Sequence, residues 1–557
     1  MANDTLPAFI RWAATRLPPD TVIWVKRLLR EEHPWQRRQR ALRRLLRVPG
    51  ETSRTLRFAD GPVTVMERGY DAIQAVSHNV SQVADALRTA GIEYVRLPNL
   101  VPFDPLLVIR EDELPATLDA LTQLPESDGW SVRIEDASHR ALPATASRRR
   151  PSAVFRIVVS RRIAGRSGHL MSTPRESVAI EPWARTREGE ARADGSAHVA
   201  GTMRRRVSRR GPFVEYLTPQ AWASAVGRDD RTLTWPRPHL YQVTEPIDVV
   251  YTWVNDDDPQ WQSRKRRASG LIDEDEVNDT ALNPSRYANR DELKYSLRSV
   301  EAYANWVNHI YIVTDRQVPD WLNTAHPRIT MVDHREIFSD PRVLPVFNSH
   351  AIESQLHHIP GLGERYLYMN DDVFFMRPVS PELFFTSSGL SKFFPSRAPL
   401  DVDDASPRDL PVLSAAKNGR EFMIQHHGRT VTNKFKHTPH PQLRSVLHDM
   451  EAEHPDLFRS VASSKFRAAG DVSIASSLYH HHAFARQRAV VGDIAYDYVD
   501  IASPRAALRL EWFSYRGRLD VVCLNDTDIA GADQEQVSSL LTGFLERRFS
   551  IASSFEL

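Results

Sequence analysis

The sequence predicts an α/β protein whose principal unit is a mainly parallel sheet with helices on its faces. Three observations lead there. From residue 246 onward, strand-like apolar runs alternate with helix-period segments. Strand, helix and strand in series specify parallel pairing with crossovers above the sheet. Asn255, Asp256, Asp315, Asp371 and Asp372 all fall at the carboxyl ends of such strands, where open α/β sheets bind their ligands.

The 557 residues allow about two to four domains with large cores. With 72 basic against 71 acidic residues, the net charge of +1 gives no pull toward nucleic acid. Cys523 is the single cysteine, which excludes an intramolecular disulfide and a multi-cysteine zinc site and fits a reducing compartment. No apolar run approaches the ~20 residues that span a bilayer. The opening MANDTLPAFIRW lacks a basic start followed by an apolar core. The expected location is cytoplasmic, or peripheral at the inner membrane face.

Residues 1–50 form a basic amphipathic segment. Between Lys26 and Arg47 there are nine basic and two acidic residues, with Leu42, Leu45 and Leu46 beside the arginines. Such a helix either lies on anionic lipid through residues 22–47 or packs on its own protein with its arginines in water. Residues 51–180 read as a small α/β module. Val76, Val80, Val83 and Leu87 keep helical spacing before Gly91, and strands are expected at 92–97, 106–110, 131–134 and 155–160, with a helix near 113–124. Residues 181–245 read as linker and lead-in, because 185–211 is polar, rich in Gly, Ala and Arg, and aperiodic.

The core begins with IDVVYTWV (247–254). A helix over 289–304 follows, with Leu293, Leu297, Val300 and Ala304 on one face, then strands HIYIVTD (309–315) and RITMVD (328–333). Residues 246–395 form its first part, 396–490 a mainly helical insertion that completes the site, and 491–557 its last part. The stretch 347–375, FNSHAIESQLHHIPGLGERYLYMNDDVFF, organises the rest. At 100° per residue Ile352, Leu356 and Ile359 share one side of a helix, and His350, Glu353 and His357 share the other. Tyr366–Met369 then runs as a strand into Asn370-Asp371-Asp372. Adjacent carboxylates between apolar runs call for a cation or a proton; the plainer alternative is a solvated turn.

Four stretches carry a resemblance: IDVVYTWVNDDDP (247–259), RYANRDELKYSLRSVEAYANWVNHIYIVTDRQVPDWL (286–322), the 347–375 segment, and VVCLND (521–526). They are similar to the conserved regions of the Stealth proteins, bacterial capsule and exopolysaccharide sugar-phosphate transferases related to the animal N-acetylglucosamine-1-phosphotransferase. The resemblance covers roughly residues 246–530. It implies a nucleotide-binding sheet similar to that of nucleotide-sugar glycosyltransferases. It also implies a reaction in which an acceptor hydroxyl attacks the sugar-bearing phosphorus of a nucleotide-sugar and a nucleoside monophosphate leaves. The default donor is a UDP-N-acetylhexosamine, and the acceptor a polysaccharide or lipid-linked glycan.

Such chemistry needs charge compensation for phosphate, a base and in-line positioning. By similarity, Glu353 and Asp372 are the essential carboxylates, Pro439-His440 supplies a histidine with an ordinary pKa near ~6.5, and Arg467 supplies a bidentate phosphate ligand. Asp471 follows Arg467 at helical distance and is expected to orient it. Asp371 and Asp372 are the expected ligands of Mg²⁺ or Mn²⁺. Asn255, Asp256, Asp315, Asn370, Arg429, Lys434, Asn525 and Asp526 are expected around the nucleotide-sugar. The residue-level alternatives are an ordinary salt bridge for Glu353 and an inconsequential loop position for His440. His480-His481-His482 reads as structural, since neighbours on a helix point about 100° apart. The rivals are a metal-dependent glycosyltransferase of similar fold and a non-catalytic carbohydrate-binding relative.

Overall fold

The computed structural model describes residues 55–58, 61–66, 69–145, 150–191, 195–207, 213–270, 289–406, 408–513, 519–526 and 534–557. The basic segment 22–47 lies outside the described residues. Among those described, no helix is long and apolar enough to cross a membrane.

The amino-terminal module is built on the expected helix, α1 (Ala72–Thr89). Asp71 caps it by accepting the Ile73 amide at 2.8 Å, and Gly91 follows its end at a φ of +71° that favours glycine. Val76, Val80, Val83 and Leu87 are buried beneath a mixed sheet that includes β1 (Leu106–Arg110), β2 (Arg156–Arg161) and β3 (Val178–Arg185). β3 pairs in parallel with β1 and antiparallel with β2. The reading of 181–245 as a linker is corrected here. β3 crosses its start, Met203–Arg204 pairs with β3, and α2 (Pro219–Val226) packs Trp222 and Ala225 against Val95, Val108 and Trp183. These elements are too short to show a period, so the polar loops between them dominated the composition.

The module docks on the core through buried polar contacts. Tyr303 Oη donates to the Met171 carbonyl at 2.9 Å, and Arg548 Nη1 donates to Tyr303 Oη at 2.9 Å. Asn305 Nδ2 donates to Asp71 Oδ2 at 2.6 Å.

In the core, β4 (Ile247–Thr252) leads into α3 (Pro259–Ser269). After it come α4 (Glu292–Tyr303), β5 (Ile310–Thr314) and β6 (Ile329–Asp333). Leu293, Leu297, Val300 and Ala304 are all fully buried, as their spacing requires; each apolar side chain so buried contributes about 1.5–3 kcal/mol. Next is α5 (Ser349–Glu353), then β7 (Arg365–Asn370) and, past the Asp371-Asp372 turn, β8 (Val373–Phe375). The sheet runs β6-β5-β4-β7 with all four strands parallel. The chain therefore builds to one side of β4 and then returns to the other. That reversal opens a crevice beyond the carboxyl ends of β4 and β7.

The 396–490 region is mainly helical: α6 (Pro411–His427), α7 (Arg444–Glu453), α8 (Pro455–Ser463) and α9 (Tyr479–Ala485). It is more than an insertion, because β9 (His440–Leu443) is the fifth strand of the main sheet, antiparallel to β7. A third layer is closed by β10 (Tyr496–Asp500) and β11 (Val521–Asn525), with β11 antiparallel to β8 and parallel to β10. Finally α10 (Gln534–Arg548) packs Leu541, Phe544 and Leu545 inward.

Candidate active site

The organising stretch behaves differently from its helical spacing. α5 ends at Glu353, and a separate 3₁₀ turn covers Leu356–His358. His350, Glu353 and His357 are 3%, 4% and 0% exposed, whereas Ile352 is only half-buried. The polar stripe faces inward because protein covers both sides of this segment. Periodicity separates two faces but does not say which is inside when both are covered.

What α5 presents inward is a set of anchored polar groups. Glu353 Oε2 accepts from Ser476 Oγ at 2.7 Å. Ser476 lies in a π-helical turn, Ile474–Leu478, a distortion common at functional sites. Glu353 also acts on the Tyr368 hydroxyl, whose pKa rises well above its usual value through burial and then this carboxylate. Arg467 Nη2 donates to Ser349 Oγ at 2.7 Å. Asp471 does not orient the guanidinium as its spacing suggested. It accepts from Asn348 Nδ2 and Ser464 Oγ, both at 2.7 Å, and from the Ala468 amide at 3.1 Å, so it fixes the loop that carries Arg467.

Asp372 stands at the turn between β7 and β8. Its Oδ2 accepts from Asn525 Nδ2 at 2.9 Å and from Cys523 Sγ at 3.3 Å. β11, paired to β8, brings both donors there. His437 Nε2 lies 3.5 Å from Asp372 Oδ1 and 3.0 Å from Asn370 Nδ2. Burial would raise Asp372, but the His437 charge and these donors hold it below the usual carboxylate range. Burial likewise lowers His437, yet Asp372, and then Glu353, raise it above 6.5. The sequence reading did not single out His437; its signal was a second histidine three residues before His440.

His440 sits opposite Tyr368 in the β7–β9 register, its ring stacked 6.1 Å away. Its Nδ1 is 3.0 Å from His480 Nε2. The near-neutral pKa expected for His440 is corrected: burial, and then the positive His437, lower it to about 3. Its ring is neutral at pH 7. His482 pairs instead with His427 at 3.0 Å, so the three-histidine run splits between two partners and ligates no common ion.

Glu353, Asp372, His440 and Arg467 are thus brought around one crevice, with His437 at its centre. The other expected residues divide. Asn370 and Asn525 contact this group directly. Asp526 is held by Arg290 at 2.9 Å. Asn255 exchanges hydrogen bonds with Gln317 through its backbone, at 3.0 and 2.8 Å, and Asp256 accepts the Asn289 amide at 3.3 Å. Asp315 is engaged by Arg264 at 2.8 Å and Arg316 at 3.1 Å; it is an ion-paired strap between α3 and β5. Arg429 and Lys434 line a groove of about 600 Å³ with Met423, Phe435 and His481, a lining that includes none of the four crevice residues.

The acidic groups fit a cation. Burial, then the charges of Glu292 and Asp372, push the Asp371 carboxyl well above its usual range, and Glu292 is raised for similar reasons. Asp372 Oδ1 is buried and has no hydrogen-bond partner among the described residues. Buried carboxylates crowded in this way lower their energy by sharing a positive ion. The side chains whose donor atoms converge within 4.8 Å are Asp372, His437 and Cys523, a more mixed set than the expected aspartate pair. The Cys523 thiol is pushed up by burial and then by Asp372, so it serves as a hydrogen donor and not as a thiolate.

Comparison with known proteins matches four conserved regions of the Stealth proteins: region 1 at residues 245–273, region 2 at 286–393, region 3 at 436–484 and region 4 at 515–557. An exopolysaccharide phosphotransferase of Streptomyces coelicolor is 38% identical over 487 residues, covering 86% of this chain and 82% of the relative. A second from that organism is 35% identical over 526 residues, covering 90% and 94%. The exopolysaccharide phosphotransferase CpsY of Mycobacterium tuberculosis is 38% identical over 322 residues, 57% of this chain and 59% of the relative. Among solved structures, a galactosyltransferase with donor and acceptor sugar analogs aligns at a TM-score of 0.27 and 12% identity, over 55% of this chain and 96% of that one; so loose a likeness adds nothing to the strand order. With all four conserved regions present, and relatives that run nearly its whole length, the chain belongs to the Stealth family of transferases of phosphorus-containing groups.

Proposed function

We propose that this enzyme transfers a sugar-1-phosphate from a nucleotide-sugar to a glycan hydroxyl during exopolysaccharide or capsule synthesis. The observation that carries the reading is the convergence of Glu353, Asp372, His437, His440 and Arg467 on the crevice at the sheet's reversal point. Anionic, cationic and neutral basic groups meet there beyond the carboxyl ends of β4 and β7. The acceptor oxygen bonds to the sugar-bearing phosphorus, the bond from that phosphorus to the nucleoside monophosphate breaks, and the hydroxyl proton passes to the protein.

Each residue has a part in that scheme. Arg467, steadied by Ser349 and its Asp471-shaped loop, binds phosphate oxygens. His440 is neutral, and in the tautomer whose Nδ1 donates to His480 Nε2 its own Nε2 can accept the hydroxyl proton. His437, whose pKa is raised by Asp372, would when protonated offset charge that develops on the phosphoryl oxygens. Glu353, held by Ser476, orients the acceptor. Asn370, Asn525 and the Arg290–Asp526 pair shape the donor side, while Asn255, Asp256 and Asp315 order the loops at its edge. A Mg²⁺ or Mn²⁺ ion, when bound, would supply Lewis-acid stabilisation of the phosphates, and Asp372 with the neighbouring Asp371 would hold it. Arg429 and Lys434, in their own groove, would meet an anionic part of the glycan.

The test is phosphorus NMR of the product after incubation with UDP-N-acetylhexosamines and a polysaccharide acceptor. A new phosphodiester resonance with release of nucleoside monophosphate is expected. Release of nucleoside diphosphate, with no phosphorus in the glycan, would instead establish glycosyl transfer.

A further inference from the structure

Away from the crevice, four side chains converge that the proposed reaction does not use. His357 and His358 come from the 3₁₀ turn after α5; His448 and Glu451 come from α7. One donor atom from each lies within 4.8 Å of the others. His357 Nε2 and His358 Nε2 both approach the same oxygen, Glu451 Oε2, at 2.7 Å. The His448 ring closes the group, its centroid 4.7 Å from His357 and 5.8 Å from His358. On α7, His448 and Glu451 are three residues apart and so share one face of the helix.

The hydrogen bonding around the cluster is that of a ligand set. His358 Nδ1 lies 2.9 Å from the Ile337 carbonyl. A carbonyl only accepts, so Nδ1 carries the hydrogen. A cation among the four would take a lone pair from each Nε2 together with the carboxylate oxygen, in place of the hydrogens these rings otherwise donate to Glu451. Metal-bound histidines characteristically donate their other ring nitrogen to a backbone carbonyl in this way. His357 is fully buried, so a ligand role would be shielded from water.

We propose that His357, His358, His448 and Glu451 form a second metal site, four-coordinate and selective for zinc, that is structural and fastens the segment behind Glu353 to α7. Three imidazole nitrogens and one carboxylate oxygen suit Zn²⁺ better than Mg²⁺ or Ca²⁺, which prefer all-oxygen shells. Zinc bonds of about 2.0–2.2 Å in a tetrahedron put neighbouring donors roughly 3.4 Å apart. The two 2.7 Å contacts would therefore open slightly and the outermost donor would draw in. Four protein donors leave no open position, so the ion would stabilise and not react. Arg444 already ties the same two elements, donating from Nε to the His357 carbonyl at 2.8 Å and from Nη1 to the Leu362 carbonyl at 3.0 Å. The metal would clamp that junction from its other side.

The experiment uses the full chain, stripped with chelator and returned to buffer with excess Mg²⁺, titrated with Zn²⁺ against a chromophoric competitor. One equivalent should bind and raise the Tm. His448→Ala alters an exposed position and should fold normally by circular dichroism. It should weaken zinc binding at least about tenfold, the lower bound even for groups that only support a ligand, and should abolish the Tm rise. Glu451→Gln should do the same, and His437→Ala should leave the zinc equivalent in place. Cobalt in the site should show a four-coordinate spectrum without thiolate charge transfer. Failure of the wild type to take up zinc would overturn the proposal. So would uptake that survives His448→Ala and Glu451→Gln but is lost in His437→Ala, which would put the ion beside Asp372 and Cys523.

Discussion

Asp372 joins the two halves of the crevice: one oxygen receives Asn525 and Cys523 from β11, and the other faces His437. Asp372→Asn keeps the shape but removes the charge, and its carbonyl oxygen can still accept from Asn525. We expect kcat to fall on the order of a hundred- to a thousandfold with Tm nearly unchanged; near-normal turnover in steady-state assays would remove Asp372 from the mechanism. Arg467→Lys retains a cation but loses the planar fork. Its expected mark is weaker donor binding with normal folding, read as a rise in KM and in the Kd for nucleotide-sugar. Metal dependence belongs at this scale too. Activity should stop in excess chelator and return with Mg²⁺, assayed by nucleoside monophosphate release. Full activity in chelator would leave Arg467 and His437 as the only compensating charges.

At the scale of elements, the parallel strands were readable because both faces are covered and their sequences run continuously apolar, as in IDVVYT and IYIVT. α1 was readable because it has one wet face and a full stripe of buried residues, and α4 because its apolar spacing is unbroken although nearly all of it is buried. Two parts were not. The inward turn of His350, Glu353 and His357 depends on α8 and the π-helical turn covering α5, elements more than a hundred residues later. The pairing of His440 with His480 depends on β9 leaving the helical region to join β7, and nothing in four residues, HPQL, announces a sheet edge. The carboxyl terminus is another element held by a distant partner. Glu556 is gripped by Arg298 of α4 through contacts of 2.8 and 2.6 Å and by the Ser553 amide at 2.8 Å. Burial would raise its pKa, but the Arg298 contacts hold it below the ordinary 4.5. A carboxylate lowered in the fold adds stability above its unfolded pKa and loses it as pH falls through its folded value. Glu556→Gln should cost about 2 kcal/mol near neutrality, and the gap to wild type should close as pH falls below the ordinary carboxylate range. Urea melts at several pH values measure both; a gap that is constant with pH would mean that Glu556 acts by packing alone.

For the whole molecule, we propose that the basic residues 22–47 bring the chain to anionic lipid. Each basic residue near an anionic surface contributes about 1 kcal/mol, an attraction that decays within a Debye length. Vesicle co-sedimentation of the full chain against a chain starting near Glu51 should show binding to anionic lipid by the former alone, lost at high salt. Equal sedimentation of the two would assign the segment to ordinary packing. The family could be read from the sequence because its conserved runs are the strand ends that line the crevice. The module's extent could not, since its last strands and α2 are too short to carry a period. The strand pairing has a further consequence for the chain as it is made. Asp372 meets Asn525 across 153 positions of sequence, and a ribosome adding about 5–20 residues each second needs on the order of ten seconds to cover them. Through that interval the parallel sheet can already stand while its acidic turn lacks the partners from β11. A chain that stops before β11 would therefore hold its parallel sheet without the partners of Asp372, and we expect it to be inert.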